Sequence, residues 1–219
     1  MNPIRIACCF LMMAGCCAYG QRRTLTAPDA SQQPPLASSE GEKRILAILE
    51  QARASGDVFY EVPLVDGRML RILTETANAK QVVEFGTSTG YSGMWFALAL
   101  QKTGGKLVTF EMDKERAAQA RKHFEKAGVS GLVQLIEGDA HKNLQQVKGA
   151  VDVVFIDAEK EGYVSYLKSM LPLVRPGGLI LGHNINMVPD YVTAITTDPN
   201  LETVFFMHGG GLSITVKKH

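Results

Sequence analysis

No cysteine occurs after Cys17; the four in the chain are Cys8, Cys9, Cys16 and Cys17. Crowded into one end, they cannot staple a fold, which excludes a disulfide framework. An excess of charge of one sign is also missing, because 23 basic residues face 22 acidic ones. With that balance, and no Lys/Arg cluster interleaved with aromatics, nucleic acid is excluded as the main partner. No apolar run reaches the length of an ordinary membrane span, and no internal repeat is evident. What is present is 219 residues, 46% hydrophobic and 21% charged, enough for one sizeable core.

Residues 1–20 open with Arg5, continue through the apolar run IACCFLMMAGCCA and end Ala18-Tyr19-Gly20. A positive start, a short apolar core and a small-x-small ending are the parts of a signal peptide. Cleavage after Gly20 would leave a cysteine-free protein. Met13-Ala14-Gly15-Cys16 also resembles a lipobox, with Met where Leu is usual, and that route would put a lipid anchor on Cys16. Either route predicts export to a periplasmic, secreted or lipid-anchored location; a leader that is not used leaves the protein cytoplasmic. Residues 21–40 (QRRTLTAPDASQQPPLASSE) cannot bury enough surface to order themselves and are expected to be a disordered linker. The folded domain is expected over residues 41–219.

Within it, apolar spacing predicts helices over 42–54 (Ile45, Leu46, Ile48, Leu49) and 66–77 (Met69, Leu70, Ile72, Leu73). Strands are expected at Val82-Val83, 106–110, 132–136, 151–156 and 179–181, with helices over 91–100, 113–127, 161–174 and 187–196 between and after them. Pro176-Gly177-Gly178 is expected as a turn, and 204–207 with 212–216 as a closing antiparallel pair. Trp95, the only tryptophan, is expected in the core, and His123 on the solvent side of a charged helix. Strands alternating with helices predict an α/β fold: a doubly wound, mostly parallel seven-stranded sheet.

Ligands in such sheets sit beyond the carboxyl ends of the strands. The stretch KQVVEFGTSTGYSG (80–93) supplies a strand, a loop of small residues and a helix start, a corner whose free N–H groups suit an anion. The loop is Gly-x-Ser-x-Gly, without the third glycine of the dinucleotide pattern. Glu84, Glu111, Asp139, Asp157 and the pair His183-Asn184 all fall at strand ends.

With these residues in view, the domain resembles the cation-dependent O-methyltransferases, the group that holds the catechol and caffeoyl-CoA enzymes. The resemblance runs from about Asp66 to the C-terminus and rests on VDGRML, VVEFGTSTGYSG, VTFEMD, LIEGDA, VFIDAEKEGY and RPGGLILGHN, followed by GGGLSITVKK. It implies a Rossmann-like methyltransferase that binds S-adenosylmethionine. By resemblance, Gly86 and Ser88 lie against the methionine part, and Ser92 holds its carboxylate. Glu111 would grip both ribose hydroxyls, with Met112 against the adenine. Ala140, Glu84 and the backbone near Val62 would complete the pocket. Asp157, His183 and Asn184 fall where the family holds a divalent ion, and Lys160 matches the lysine that takes the hydroxyl proton. The acceptor implied is a small, catechol-like aromatic, and a homodimer is common in the family.

The sequence departs from the pattern at His183, where the family has Asp. Two carboxylates and an amide suit Mg²⁺; a carboxylate, an imidazole and an amide shift preference toward Mn²⁺, Fe²⁺ or Zn²⁺. Ala158-Glu159 lacks the aromatic bulk that cradles the ring in catechol enzymes. Two other readings remain open, a non-catalytic or metal-independent S-adenosylmethionine-binding protein and an NAD(P)-dependent oxidoreductase. Export sits awkwardly with a cofactor made in the cytoplasm.

Overall fold

The computed structural model describes residues 33–55 and 62–219. The expected leader, Cys16 and linker residues 21–32 lie outside the described residues. Residues 33–39 form no regular element, and the first described helix is α1 (Glu40–Ser55). Helix α2 (Leu64–Thr76) follows, then β1 (Gln81–Phe85), α3 (Tyr91–Thr103), β2 (Lys106–Glu111), α4 (Lys114–Ala127) and β3 (Val133–Glu137). The second half runs through a short helix at Ala140–Asn143, β4 (Val151–Ile156), α5 (Tyr163–Met170), β5 (Val174–His183), α6 (Pro189–Thr197), β6 (Leu201–Phe206) and β7 (Leu212–Lys217).

The seven strands form one sheet in the order β3-β2-β1-β4-β5-β7-β6. Strands β1 to β5 pair parallel, and β7 runs antiparallel to both β5 and β6. The doubly wound sheet and its closing pair are as expected. The order in which strands are added to the sheet reverses between β1 and β4, which opens a crevice beyond their carboxyl ends.

Alternation along the strands explains the layers. Val82, Leu107, Val153 and Phe155 pack into a core with Ile45, Leu70, Trp95 and Phe124, on the face covered by α1 to α4. Val83, Phe85, Val108, Phe110, Val154 and Ile156 point the other way, into a core with Tyr163, Tyr166, Tyr191 and Ile195. A parallel strand covered on both faces reads as a continuous apolar run, as these do. Helix α3 is buried nearly all round, with Trp95 1% exposed, as expected.

Three local expectations are corrected. Pro176-Gly177-Gly178 is a bulge inside β5 and not a turn before it: residues 175–178 stand against Asp152 alone, between the pairs Val151–Val174 and Val153–Leu179. Proline lacks the ladder donor, so it fits where the ladder is interrupted. His123 is buried, its Nδ1 2.8 Å from the Thr89 carbonyl. It lies on the stripe Ala117, Ala120, Phe124 that α4 turns inward. In α2 the inward stripe is Asp66, Gly67, Leu70 and Thr74, while Ile72 is 53% exposed.

Candidate active site

The corner between β1 and β4 is fixed by backbone contacts. Asp157 N–H donates to the Phe85 carbonyl (2.9 Å), so β1 and β4 stay in register to their last residues. Gly86 follows Phe85 with φ +94°, and a Cβ there would stand 2.2 Å from the Asp157 carbonyl oxygen. Only glycine permits that approach. The Gly86 and Thr87 N–H groups both donate to the Phe110 carbonyl, and Gly90, at φ +89°, caps α3.

A cavity of about 620 Å³ opens at this corner. Val62, Gly86, Ser88, Ser92, Glu111, Met112, Ala140, Asp157, Lys160, His183 and Asn184 all border it. Of the residues expected at the site only Glu84 does not. Glu84 is wholly buried one layer behind, accepting from Ser92 Oγ at 2.5 Å and from Thr109 Oγ1 at 2.6 Å. Burial pushes its carboxyl up to about 7, against the lowering effect of those two hydrogen bonds. It reaches the cavity only through Ser92.

At the β2 end, Glu111 is held by backbone donors. Ser88 N–H meets its Oε2 at 2.7 Å and Asp113 N–H its Oε1 at 2.9 Å, with Arg116 Nε 3.6 Å away. Each oxygen keeps a second lone pair, so the carboxylate can accept from two neighbouring hydroxyls. Met112, 69% exposed, overhangs the cavity beside it. Asp139 caps the short helix through His141 N–H at 2.9 Å and presents Ala140 to the cavity. His141 does not border the cavity; it stacks on Tyr166 at 4.4 Å, and Tyr166 stacks on Phe85 at 4.2 Å.

At the β4 and β5 ends, charged groups converge. Lys160 Nζ donates to Tyr163 Oη at 2.8 Å, Asn184 Oδ1 at 3.0 Å and Asp157 Oδ1 at 3.4 Å. Three acceptors around one nitrogen are the complement of an ammonium. Tyr163 Oη in turn donates to the His183 carbonyl at 2.9 Å. Burial first, and the Asp157 charge second, hold that phenol protonated. His183, 3% exposed, lies between two carboxylates: Nδ1 is 3.1 Å from Asp157 Oδ2 and Nε2 is 2.9 Å from Asp66 Oδ2. Burial by itself would lower its pKa, but the hydrogen bonds to Asp157 and Asp66 prevail and raise it to about 9.

The donor set expected to hold a divalent ion does not fit one. Both nitrogens of His183 are engaged by carboxylates, and Asn184 Oδ1 and Asp157 Oδ1 already accept from Lys160. Among the described residues no three Asp, Glu, His or Cys side chains converge on a point that a metal could occupy. His183, expected as a metal ligand, here stands as a ring between two carboxylates. Asp66 itself had no expected role, although VDGRML carried it. Its one signal was local: an acid on the same stripe as Leu70 and Thr74, four and eight residues on.

A parallel sheet with a small-residue loop after β1 and an acid after β2 defines a nucleoside-binding enzyme corner. A profile of the family described as O-methyltransferase matches residues 37–213. The chain belongs to that family. It is 35% identical over 162 residues to a catechol O-methyltransferase of Niastella koreensis, covering 72% of this chain and 73% of that one. It is 30% identical over 176 residues to caffeoyl-CoA O-methyltransferase 1 of Eucalyptus globulus, covering 68% and 71%. An O-methyltransferase of Bacillus cereus, solved in complex with SAH, superposes with a TM-score of 0.75 at 26% identity, over 88% of this chain and 98% of that one. The protein is an S-adenosylmethionine-dependent O-methyltransferase of the catechol and caffeoyl-CoA group.

Proposed function

We propose that the chain moves the methyl group of S-adenosylmethionine to a hydroxyl of a small, catechol-like aromatic acceptor, with Lys160 as the base. The observation that carries this reading is the position of Lys160. Its nitrogen stands beside Asp157, and the Asp157 backbone abuts Gly86 in the small-residue loop. Donor and acceptor therefore share one rim. On this reading Glu111 accepts from the two ribose hydroxyls, Ser88 and Gly86 lie along the methionine part, and Ser92, already oriented by Glu84, faces its carboxylate.

In the transfer, the Lys160 amine takes the acceptor O–H proton while the oxygen's lone pair attacks the methyl carbon. The carbon–sulfur bond breaks and its electron pair neutralises the sulfonium. The lysine leaves this step as an ammonium, donating to Tyr163, Asn184 and Asp157, and returns its proton to water before the next turnover. The sulfonium charge is lost at the reacting centre as the proton passes to Lys160, and the buried Val62 and Tyr91 on the cavity lining keep that centre apolar. Holding both partners on one rim supplies much of the remainder. No part is assigned to a divalent ion, because the donor set does not accommodate one.

The similarity to caffeoyl-CoA O-methyltransferase 1 extends the acceptor class to hydroxycinnamate-type phenols, and Ala158 and Glu159 leave that part of the cavity lining without an aromatic ring. The test is release of S-adenosylhomocysteine with a panel of catechols and hydroxycinnamates. Lys160→Ala should lower kcat about 100- to 10,000-fold and leave S-adenosylmethionine affinity unchanged. A variant that turns over like the wild type would remove Lys160 as the base; absence of turnover across the panel would remove the acceptor class. We also propose that residues 1–20 direct export. Protein recovered from its own cells with intact Met1 would refute that.

A further inference from the structure

Asp66 is wholly buried on α2 and far in sequence from Asp157, Lys160, His183 and Asn184. Its Oδ2 accepts from His183 Nε2 at 2.9 Å and from Gly210 N–H at 2.7 Å, and a Cβ on Gly209 would collide with its carboxylate. The glycines of the β6–β7 connection thus close around this one acid. Across the ring, His183 Nδ1 meets Asp157 Oδ2. Ionised carboxylates only accept, so an imidazole between two of them donates from both nitrogens. Such a ring has no lone pair for a metal. On the far side of Asp157, its other oxygen receives Lys160, which also holds Asn184.

A divalent ion in this space would have to displace Lys160 from Asn184 Oδ1 and Asp157 Oδ1 and part the His183 ring from Asp157 Oδ2, giving up hydrogen bonds among mostly buried polar groups.

We propose that the Asp66–His183–Asp157 chain takes the place of the divalent ion of related enzymes, that methyl transfer in this protein is metal-independent, and that Asp66 is the positioning residue that makes it so. The proposal rests on the methyl-transfer reading above. The chain holds Asp157 at one oxygen, which fixes the other oxygen under Lys160. The lysine nitrogen is thereby presented to the acceptor hydroxyl where an ion would otherwise gather the two phenolic oxygens.

The test uses the full protein with S-adenosylhomocysteine bound, so that metal binding is read without turnover. Protein purified without chelator is assayed for metal content and titrated with Mn²⁺, followed by electron paramagnetic resonance. Wild type is expected to carry no stoichiometric metal, to leave the Mn²⁺ signal that of the free ion, and to keep its methylation rate after EDTA. His183→Asp, which restores the carboxylate found in the family, is expected to take up one Mn²⁺ and to become EDTA-sensitive. Asp66→Asn should lower kcat about 10- to 100-fold with the cofactor affinity unchanged, and Asp66→Glu should recover part of the loss. Uptake of one Mn²⁺ by the wild type, or an EDTA loss reversed by metal, would overturn the proposal: Nδ1 would then keep its lone pair for an ion, with Asp66 merely orienting the ring. Failure of S-adenosylhomocysteine to bind would sink the methyltransferase reading instead, so the two failures are distinct.

Discussion

Raising the pH through the His183 transition should cost the folded state a measurable part of its stability. The ring's pKa is about 9 in the fold and 6.5 in its unperturbed state. A group that holds its proton more tightly when folded stabilises the protein fully below the unfolded pKa and loses that contribution as pH rises through the folded one. Between pH 6.5 and 9 the native state carries a proton that the unfolded chain has already released, so stability falls across that window. At 1.36 kcal/mol per pKa unit, the loss is about 3 kcal/mol. Against a total of about 5–15 kcal/mol for a domain, urea midpoints will show it. Trp95, buried and the only tryptophan, supplies the fluorescence signal. Midpoints measured from pH 6 to pH 9.5 should decline, with most of the fall above about pH 7, where Glu84 no longer contributes. Asp66→Asn removes one of the two carboxylates and should make the decline shallower. Nitrogen NMR of His183 should show both ring nitrogens protonated at pH 7.5. A flat profile, or a ring that titrates below pH 7, would refute the ion chain and everything argued from it.

Glu84 is expected to add a separate falling limb at lower pH. Its carboxyl is raised from 4.5 to about 7, so its contribution is complete below 4.5 and gone above 7; Glu84→Gln should flatten stability there by about 3 kcal/mol. Glu111→Gln keeps the shape but weakens the acceptor for a diol, and should reduce S-adenosylmethionine affinity about 10- to 100-fold by calorimetry. An unchanged affinity would remove the ribose assignment. Gly86→Ala forces a side chain into φ +94° and against the Asp157 backbone. It should destabilise by about 2 kcal/mol or more and abolish cofactor binding, read by thermal unfolding with and without the cofactor.

Much of the sheet was legible because its buried strands are short β-branched runs, each ended by a glycine or an acid. The rim followed from that, since a strand's last residue fixes where its neighbours point. Glu84 stands behind Ser92 because β1 is covered on both faces, and an acid one residue before the end points into a layer, not into the crevice. His123 lies in a charged helix, yet three residues after Ala120 it falls on the inward stripe; composition hid what spacing contained. The Asp66–His183 contact spans 117 positions. Nothing local announces a partner that only the β6–β7 glycines bring within reach. The same distance hid the second carboxylate on the His183 ring: the sequence showed one ligand type exchanged for another, and the structure adds Asp66 beside it.

The bulge in β5 has an evolutionary corollary. Upstream of Leu179, residues 175–178 loop out against Asp152 alone, and downstream the pairing with β4 is regular as far as Gly182. Only Pro176 and Gly177 of that stretch are exposed, while Arg175 is tied to Asp152 and Gly178 has no room for a side chain. Past Leu179 a slip of one position would carry His183 to the opposite face and dismantle the ion chain. Sequence drift in this strand is therefore tolerated at the exposed tip of the bulge and forbidden beyond Leu179.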